Sequence, residues 1–138
     1  MKIKRLHESA VIPKYATPGA GAFDLVQAWA ECECGKVVIH TGLSVEIPPG
    51  RIGVIVPRSG LGTKHGVRLL NTVGIIDSDY RGEVMVMVGA AGYMRAGLKD
   101  GMRVAQMAIM PVERVEFEEV DELSNTERGD GGFGHTGV

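Results

Sequence analysis

Two carboxylates one residue apart, Asp77 and Asp79, stand inside the run NTVGIIDSDYRGE at residues 71–83. Tyr80 follows them, and Arg81-Gly82 adds a second turn signal. In a strand, residues two apart share a face, and two acids there repel. A cation, a proton or a division of tasks must separate them. An ionised carboxylate within reach of a water can act as a general base. Gly74 lets the backbone approach something closely or take a positive φ. The plain structural reading is a polar hairpin with solvated acids and a surface tyrosine. The flanking aromatic, the glycine, and Asn71 at the hairpin's other end favour a site.

Other segments carry candidate chemistry. Asp24 interrupts the apolar run AFDLV at 22–26. As an edge-strand acid it faces water; as a site acid it is aimed into a pocket, and the residue alone leaves both open. Arg58, Ser59 and Gly60 open the stretch RSGLGTKHG at 58–66. Ser59 suits an N-cap and Gly66 a C′ position, so one short helix is expected between them. The plain reading is an ordinary capped turn with a surface arginine; the free amides, with Arg58 and with Gly60 where backbone must come close, favour an anion site. No G-x-x-x-x-G-K-[ST] pattern occurs, so this is no P-loop. Gly129, Gly131 and Gly134 match G-x-G-x-x-G, but no strand leads in and no helix follows, so a dinucleotide fold is excluded. Around them, Arg128, Phe133 and Thr136 put a guanidinium, a ring and a hydroxyl on a pliable backbone. That set can close over a flat, phosphorylated ligand. Cys32 and Cys34 lack the second half of a zinc site, and His7, His40, His65 and His135 show no ligand spacing, so free thiols are expected.

The elements that position these groups follow from composition and pattern. A chain of 138 residues suits one domain, and 20 glycines among short β-branched runs indicate many turns and an all-β architecture. Strands are expected at 2–6, 22–26, 36–39, 43–47, 52–56, 73–76, 84–88, 102–110 and 112–120, with a loop at 89–92. The run 84–88 is apolar on both faces, and calls for cover from a neighbouring subunit or from its own sandwich. A core of residues 1–123 and a flexible glycine-rich arm at 124–138 are expected. A net charge of −2 provides no general attraction to nucleic acid or anionic membrane. No apolar run approaches the ~20 residues that cross a bilayer, and no apolar stretch follows the basic start as in a secretory signal. A soluble, cytoplasmic protein is expected.

Five segments in order resemble the five motifs of the trimeric deoxyuridine triphosphatases (dUTP pyrophosphatases, dUTPases). They are AFDL at 22–25, PRSGLGTKHG at 57–66, GIIDSDYRGE at 74–83, GMRVAQM at 101–107 and RGDGGFGHTG at 128–137. The resemblance implies a jelly-roll-like β-sandwich or barrel (a β-clip), a homotrimer with active sites at subunit interfaces, and hydrolysis of dUTP to dUMP and pyrophosphate with Mg²⁺. It implies that Asp77 is the general base for attack on the α-phosphorus. It implies that Asn71, Gly74 and Ile76 read uracil, that Tyr80 packs on deoxyribose, and that Arg58, Ser59, Gly60 and Gln106 bind phosphate. Asp24 is then linked to the metal through its water shell. Arg128, Phe133, Gly134, His135 and Thr136 form the closing arm, and Arg103 has either a structural or a site role. His135 stands where the family often has serine, and Gly21-Ala22 reverses a common order. A dCTP deaminase shares the fold, but the Asp-Ser-Asp-Tyr run and the glycine-rich arm argue against it. A non-catalytic trimer that binds through the same interfaces is a further alternative, and pyrophosphate release from dUTP discriminates among the three.

Overall fold

A computed structural model of the chain describes residues 1–135 and 137. Its elements are β1 (Lys2–Arg5), β2 (Ala22–Val26), β3 (Trp29–Glu33), β4 (Lys36–Glu46), β5 (Arg51–Pro57), α1 (Ser59–His65), β6 (Gly74–Ile76), β7 (Glu83–Gly89), α2 (Ala90–Ala96) and β8 (Arg103–Pro111). Strands form where small branched side chains alternate. Val37 and Ile39 on β4, and Val84, Val86 and Val88 on β7, all point to one buried side.

Two open antiparallel sheets result. In one, β4 carries β3 and β1 end to end on one edge and β7 on the other. The second runs β2-β8-β5-β6. One apolar cluster joins them: Val37, Ile39 and Val86 from the first sheet meet Leu25, Ile55 and Met107 from the second. Each such side chain, fully buried, contributes roughly 1.5–3 kcal/mol. Met107→Ala would leave a cavity and cost about 2–5 kcal/mol.

The all-β expectation holds, with corrections. The sheets stay open, so there is no closed barrel. The two strands expected at 36–39 and 43–47 are one strand, β4, interrupted by a bulge. Thr41, Gly42 and Leu43 there oppose Val84 alone, since His40 pairs with Met85 and Ser44 with Glu83. Gly42 takes φ 65°, and a Cβ there would sit 2.9 Å from the Ala10 methyl. Strand β3 was not expected; its outward residues 31–33 are exposed, which hides its periodicity.

A second helix, α2, replaces the loop expected at 89–92. Gly92 can be helical because its missing side chain admits the Gly66 carbonyl, which would lie 2.6 Å from a Cβ. Tyr93 anchors α2 through a buried pair of hydrogen bonds with Gln27 at 2.9 and 3.1 Å. In α1 the N-cap is Arg58, not Ser59, and no side chain caps it; Gly66 ends the helix in the left-handed region at φ 67°. The strand expected at 112–120 does not form. These residues are exposed and tied to the sandwich by one backbone bond, Val112 N–H to Gly50 O at 3.0 Å. A strand needs a neighbour for its ladder, and none lies beside this segment among the described residues. No described helix is long and apolar enough to cross a membrane.

Candidate active site

Three strands bring one group of candidates together. Asp24 on β2 stands opposite Gln106 on β8, and Gln106 stands opposite Val56 on β5. The chain then turns at Pro57, and Arg58 reaches back across that sheet end. Its Nε donates to Asp24 Oδ1 at 2.7 Å, and Arg103 Nη1 donates to Oδ2 at 3.1 Å. The Asp24 side chain is only 17% exposed. Although β2 is an edge strand, this acid does not face water; two guanidinium groups enclose it. One carboxylate against two guanidinium groups leaves a net positive charge, which suits an anionic ligand. Ser59 and Gly60 begin α1 and are exposed beside this cluster in the chain. A Cβ on Gly60 would meet nothing, so the protein's own packing does not require glycine there.

The hairpin places a second group. Asp77 lies just past β6, and Ser78 and Asp79 form a turn. The turn removes both acids from one strand face, so the expected side-by-side placement is not found. A groove of about 260 Å³ runs beside the turn, walled by Ile75, Ile76, Asp77, Tyr80, Met85 and Met87. The two methionines were not expected as site residues. Their signal was the outer apolar face of 84–88, whose inner face, Val84, Val86 and Val88, is buried in the chain's own sandwich. Tyr80 lies over Gly82, where any side chain would collide with its phenol. Its hydroxyl donates to Glu83 O at 3.0 Å. Gly74 serves strand pairing: a Cβ there would sit 3.1 Å from Ile55 Cβ. Asn71 lies in an exposed turn held by Val73 N–H to Asn71 O at 2.6 Å, beside Thr72 at φ 63°.

The two groups are far apart within one chain. Strand β6 runs antiparallel to β5, with Gly74 opposite Ile55 and Ile76 opposite Gly53. Asp77 therefore comes level with Ile52, at the far end of β5 from Arg58. At ~3.3 Å per residue, the six steps from Ile52 to Arg58 span about 20 Å. The arm forms a third group, turned on itself. Arg128 Nε donates to Gly131 O at 2.8 Å, and His135 Nδ1 lies 3.2 Å from Gly132 O. Phe133 is fully exposed, and Gly134 has φ 77°. Thr136 lies outside the described residues.

The donor set bears on the expected Mg²⁺. No cluster of three or more His, Cys, Asp or Glu occurs among the described residues. Both Asp24 oxygens already accept guanidinium protons, so direct ligation would break two ion pairs. A spare lone pair on that carboxylate can still accept from metal-bound water. The residues fit an ion carried mainly by ligand oxygens and water, as is common for Mg²⁺.

An open β-sandwich with an anion-receptive cluster at one sheet end and an apolar groove on a hairpin defines the class of protein. Residues 8–137 match the dUTPase family model. The deoxyuridine 5'-triphosphate nucleotidohydrolase of Crocosphaera subtropica is 46% identical over 140 residues, covering 100% of this chain and 99% of the relative. That of Syntrophotalea carbinolica is 43% identical over 145 residues, covering 99% and 96%. Among solved structures, the dUTPase of Staphylococcus bacteriophage 80alpha with dUPNHPP superimposes with a TM-score of 0.86 at 26% identity, covering 99% of this chain and 98% of that one. The chain belongs to the dUTPase family.

Proposed function

We propose that this protein acts in the cytoplasm as a Mg²⁺-dependent dUTP nucleotidohydrolase, releasing dUMP and pyrophosphate from dUTP at sites shared between the subunits of a homotrimer. The observation that carries the activity is full-length likeness to nucleotidohydrolases of that name. The activity limits uracil incorporation into DNA and supplies dUMP for thymidylate synthesis.

Asp77 is the general base. Its carboxylate is exposed at a strand end and makes no ion pair among the described residues, so it is free to hold a water. The water loses its proton to Asp77 as its oxygen bonds to the α-phosphorus, and pyrophosphate leaves with the electrons of the α–β bridge. Arg58 and Gln106, with Ser59 and Gly60, hold phosphate oxygens. Mg²⁺, when bound, would neutralise charge on the triphosphate, and Asp24, which accepts from Arg58 and Arg103, would orient the metal's water through a spare lone pair. The groove beside β6 and β7 takes the nucleoside, with Tyr80 against the deoxyribose and Asn71, Gly74 and Ile76 at the uracil. Arg128, Phe133, Gly134, His135 and Thr136 belong to an arm, residues 124–138, that closes over the ligand. The ~20 Å between Asp77 and Arg58 favours the shared site, because one chain cannot bring both to a single phosphate.

The test is pyrophosphate release from dUTP with Mg²⁺, beside dCTP, UTP and dTTP. Release from dUTP alone is expected. Ammonia from dCTP, or no turnover, rejects the proposal.

A further inference from the structure

Glu83, the first residue of β7, does three things at once. Its Oε1 accepts Gly42 N–H at 2.7 Å, satisfying an amide that the β4 bulge leaves outside the ladder. Its Oε2 lies 2.9 Å from His40 Nδ1. Its main-chain oxygen accepts the Tyr80 hydroxyl. An ionised carboxylate only accepts, so the imidazole carries a proton on Nδ1. The ring plane is fixed in turn by Trp29, stacked at 4.4 Å and 8°. Trp29 also packs on His7 at 4.7 Å. The other charged group facing the imidazole is Glu31 on β3, whose Oε1 is 3.9 Å from Nε2. That Nε2 is buried with no hydrogen-bond partner among the described residues, so the ring's one described hydrogen bond is the one to Glu83.

We infer that His40 is a positioning residue for nucleotide selection: through Glu83 it holds the anchor on which the Tyr80 ring is set. The inference rests on the reading of Tyr80 as the ring against the sugar. The argument is local. Tyr80 is part-exposed, and its hydroxyl has a single described acceptor, Glu83 O. That oxygen is as fixed as the residue that bears it. Glu83 is held at the bulge by its ladder pairing with Ser44 and by a carboxylate shared between one amide and one imidazole. Without the imidazole, the carboxylate is free to rotate about the Gly42 contact, and the start of β7 loses one of its ties to β4, keeping the Ser44 pairing and the Thr41 bond to Val84 O. If the Tyr80 ring sets sugar discrimination, that discrimination loosens when the ring's anchor is less firmly held.

The test compares two near-isosteric replacements in the full-length protein. His40→Asn puts an amide N–H close to the Nδ1 position. His40→Gln puts it near Nε2, away from Glu83. The reading is the ratio of kcat/KM for dUTP to that for UTP. His40→Asn is expected to hold the ratio within about twofold. His40→Gln is expected to lower it about tenfold, the scale of one charge-assisted hydrogen bond. Should the glutamine protein fail to fold, Glu83→Asp carries the same test, since the shorter acid withdraws from His40. Tyr80→Ala runs beside them. If Tyr80→Ala lowers the ratio while His40→Asn and His40→Gln behave alike, the inference is overturned and the reading of Tyr80 stands. A flat ratio in Tyr80→Ala overturns that reading and this inference with it.

Discussion

The two ends of β5 are built differently. At the Pro57 end, Asp24, Arg103 and Arg58 are locked by two ion pairs, and three strands in register hold Asp24, Gln106 and the turn into α1. At the Arg51 end, Asp77 is exposed just past a strand of three residues, between half-buried Ile76 and Ser78. The first end is pre-organised, with its geometry set by sheet pairing before any ligand arrives. Under the proposed function the second supplies the base and the nucleoside groove, and Arg51 and Arg114 line the recess beside Asp77 and Asp79. If Asp77 is the proposed base and Arg58 holds phosphate, the two can serve one ligand where each end faces the opposite end of another copy.

The sharpest way to break this comparison is to silence one end only. Asp77→Asn keeps shape and hydrogen bonding while removing the base, and turnover of dUTP should fall ~10²–10⁴-fold. Because Asp77 is not assigned to phosphate or base recognition, a titration with a non-hydrolysable dUTP analogue should show near-parental affinity. Parental turnover would reject the role. Next in size is the arm. Deleting the residues after Asn125 removes Arg128 and Phe133, and should lower kcat/KM by ~10²–10³-fold, the scale for losing a positioned phosphate clamp. No core residue is lost, so the melting temperature should stay where it was. A large drop in melting temperature would mean that the arm is structural.

A third experiment asks directly whether the ends meet between copies. Asp77→Asn and Arg58→Ala proteins should each be nearly inactive. Co-expressed in equal amounts, they should regain activity, because random assortment leaves about one site in four with both residues intact. Continued silence of the mixture, with mixed oligomers confirmed by mass, would place both residues in one chain's site.

What could be read from the residues divides along the same line. Turn chemistry and period located β2, β5, β6 and α1, and the resemblance gave the candidate groups in chain order. The closure of Arg58 on Asp24 was not readable, since the partners are 34 residues apart and only β2–β8–β5 pairing unites them. Gly89 and Gly92 read as a loop because local propensity disfavours glycine in helices. Packing against the Gly66 carbonyl reverses that choice for Gly92. Residues 112–120 show the opposite error: alternation marks a side chain's face but supplies no neighbouring strand. For Asp77 and Asp79, same-face geometry presumed a strand that ends at Ile76.

The smallest expected effect comes from an ion pair that resembles the Asp24 cluster but lies on the other sheet. Lys2 Nζ donates to Glu46 Oε1 at 2.9 Å, between β1 and β4. The Lys2 hydrogen bond, then its charge, and more weakly Arg81, hold the Glu46 carboxyl below its ordinary pKa. A lowered folded value means that the ionised form favours the folded state. The contribution is fully present above the unfolded value, near about 4.3, and is lost as pH falls through the folded one. Both side chains are open to solvent, so the contribution is screened by salt and small. Glu46→Gln should therefore leave dUTP turnover unchanged and lower the melting temperature slightly at pH 7 in low salt. The difference should close as the pH falls below the ordinary glutamate range. Asp24→Asn should instead reduce turnover at neutral pH, since it removes the group that pairs Arg58 with Arg103. Equal losses of activity in the two variants would show that pairing a carboxylate with a cation is not what distinguishes the Pro57 end of β5. Loss in Asp24→Asn alone ties the difference to where the three strands place that carboxylate.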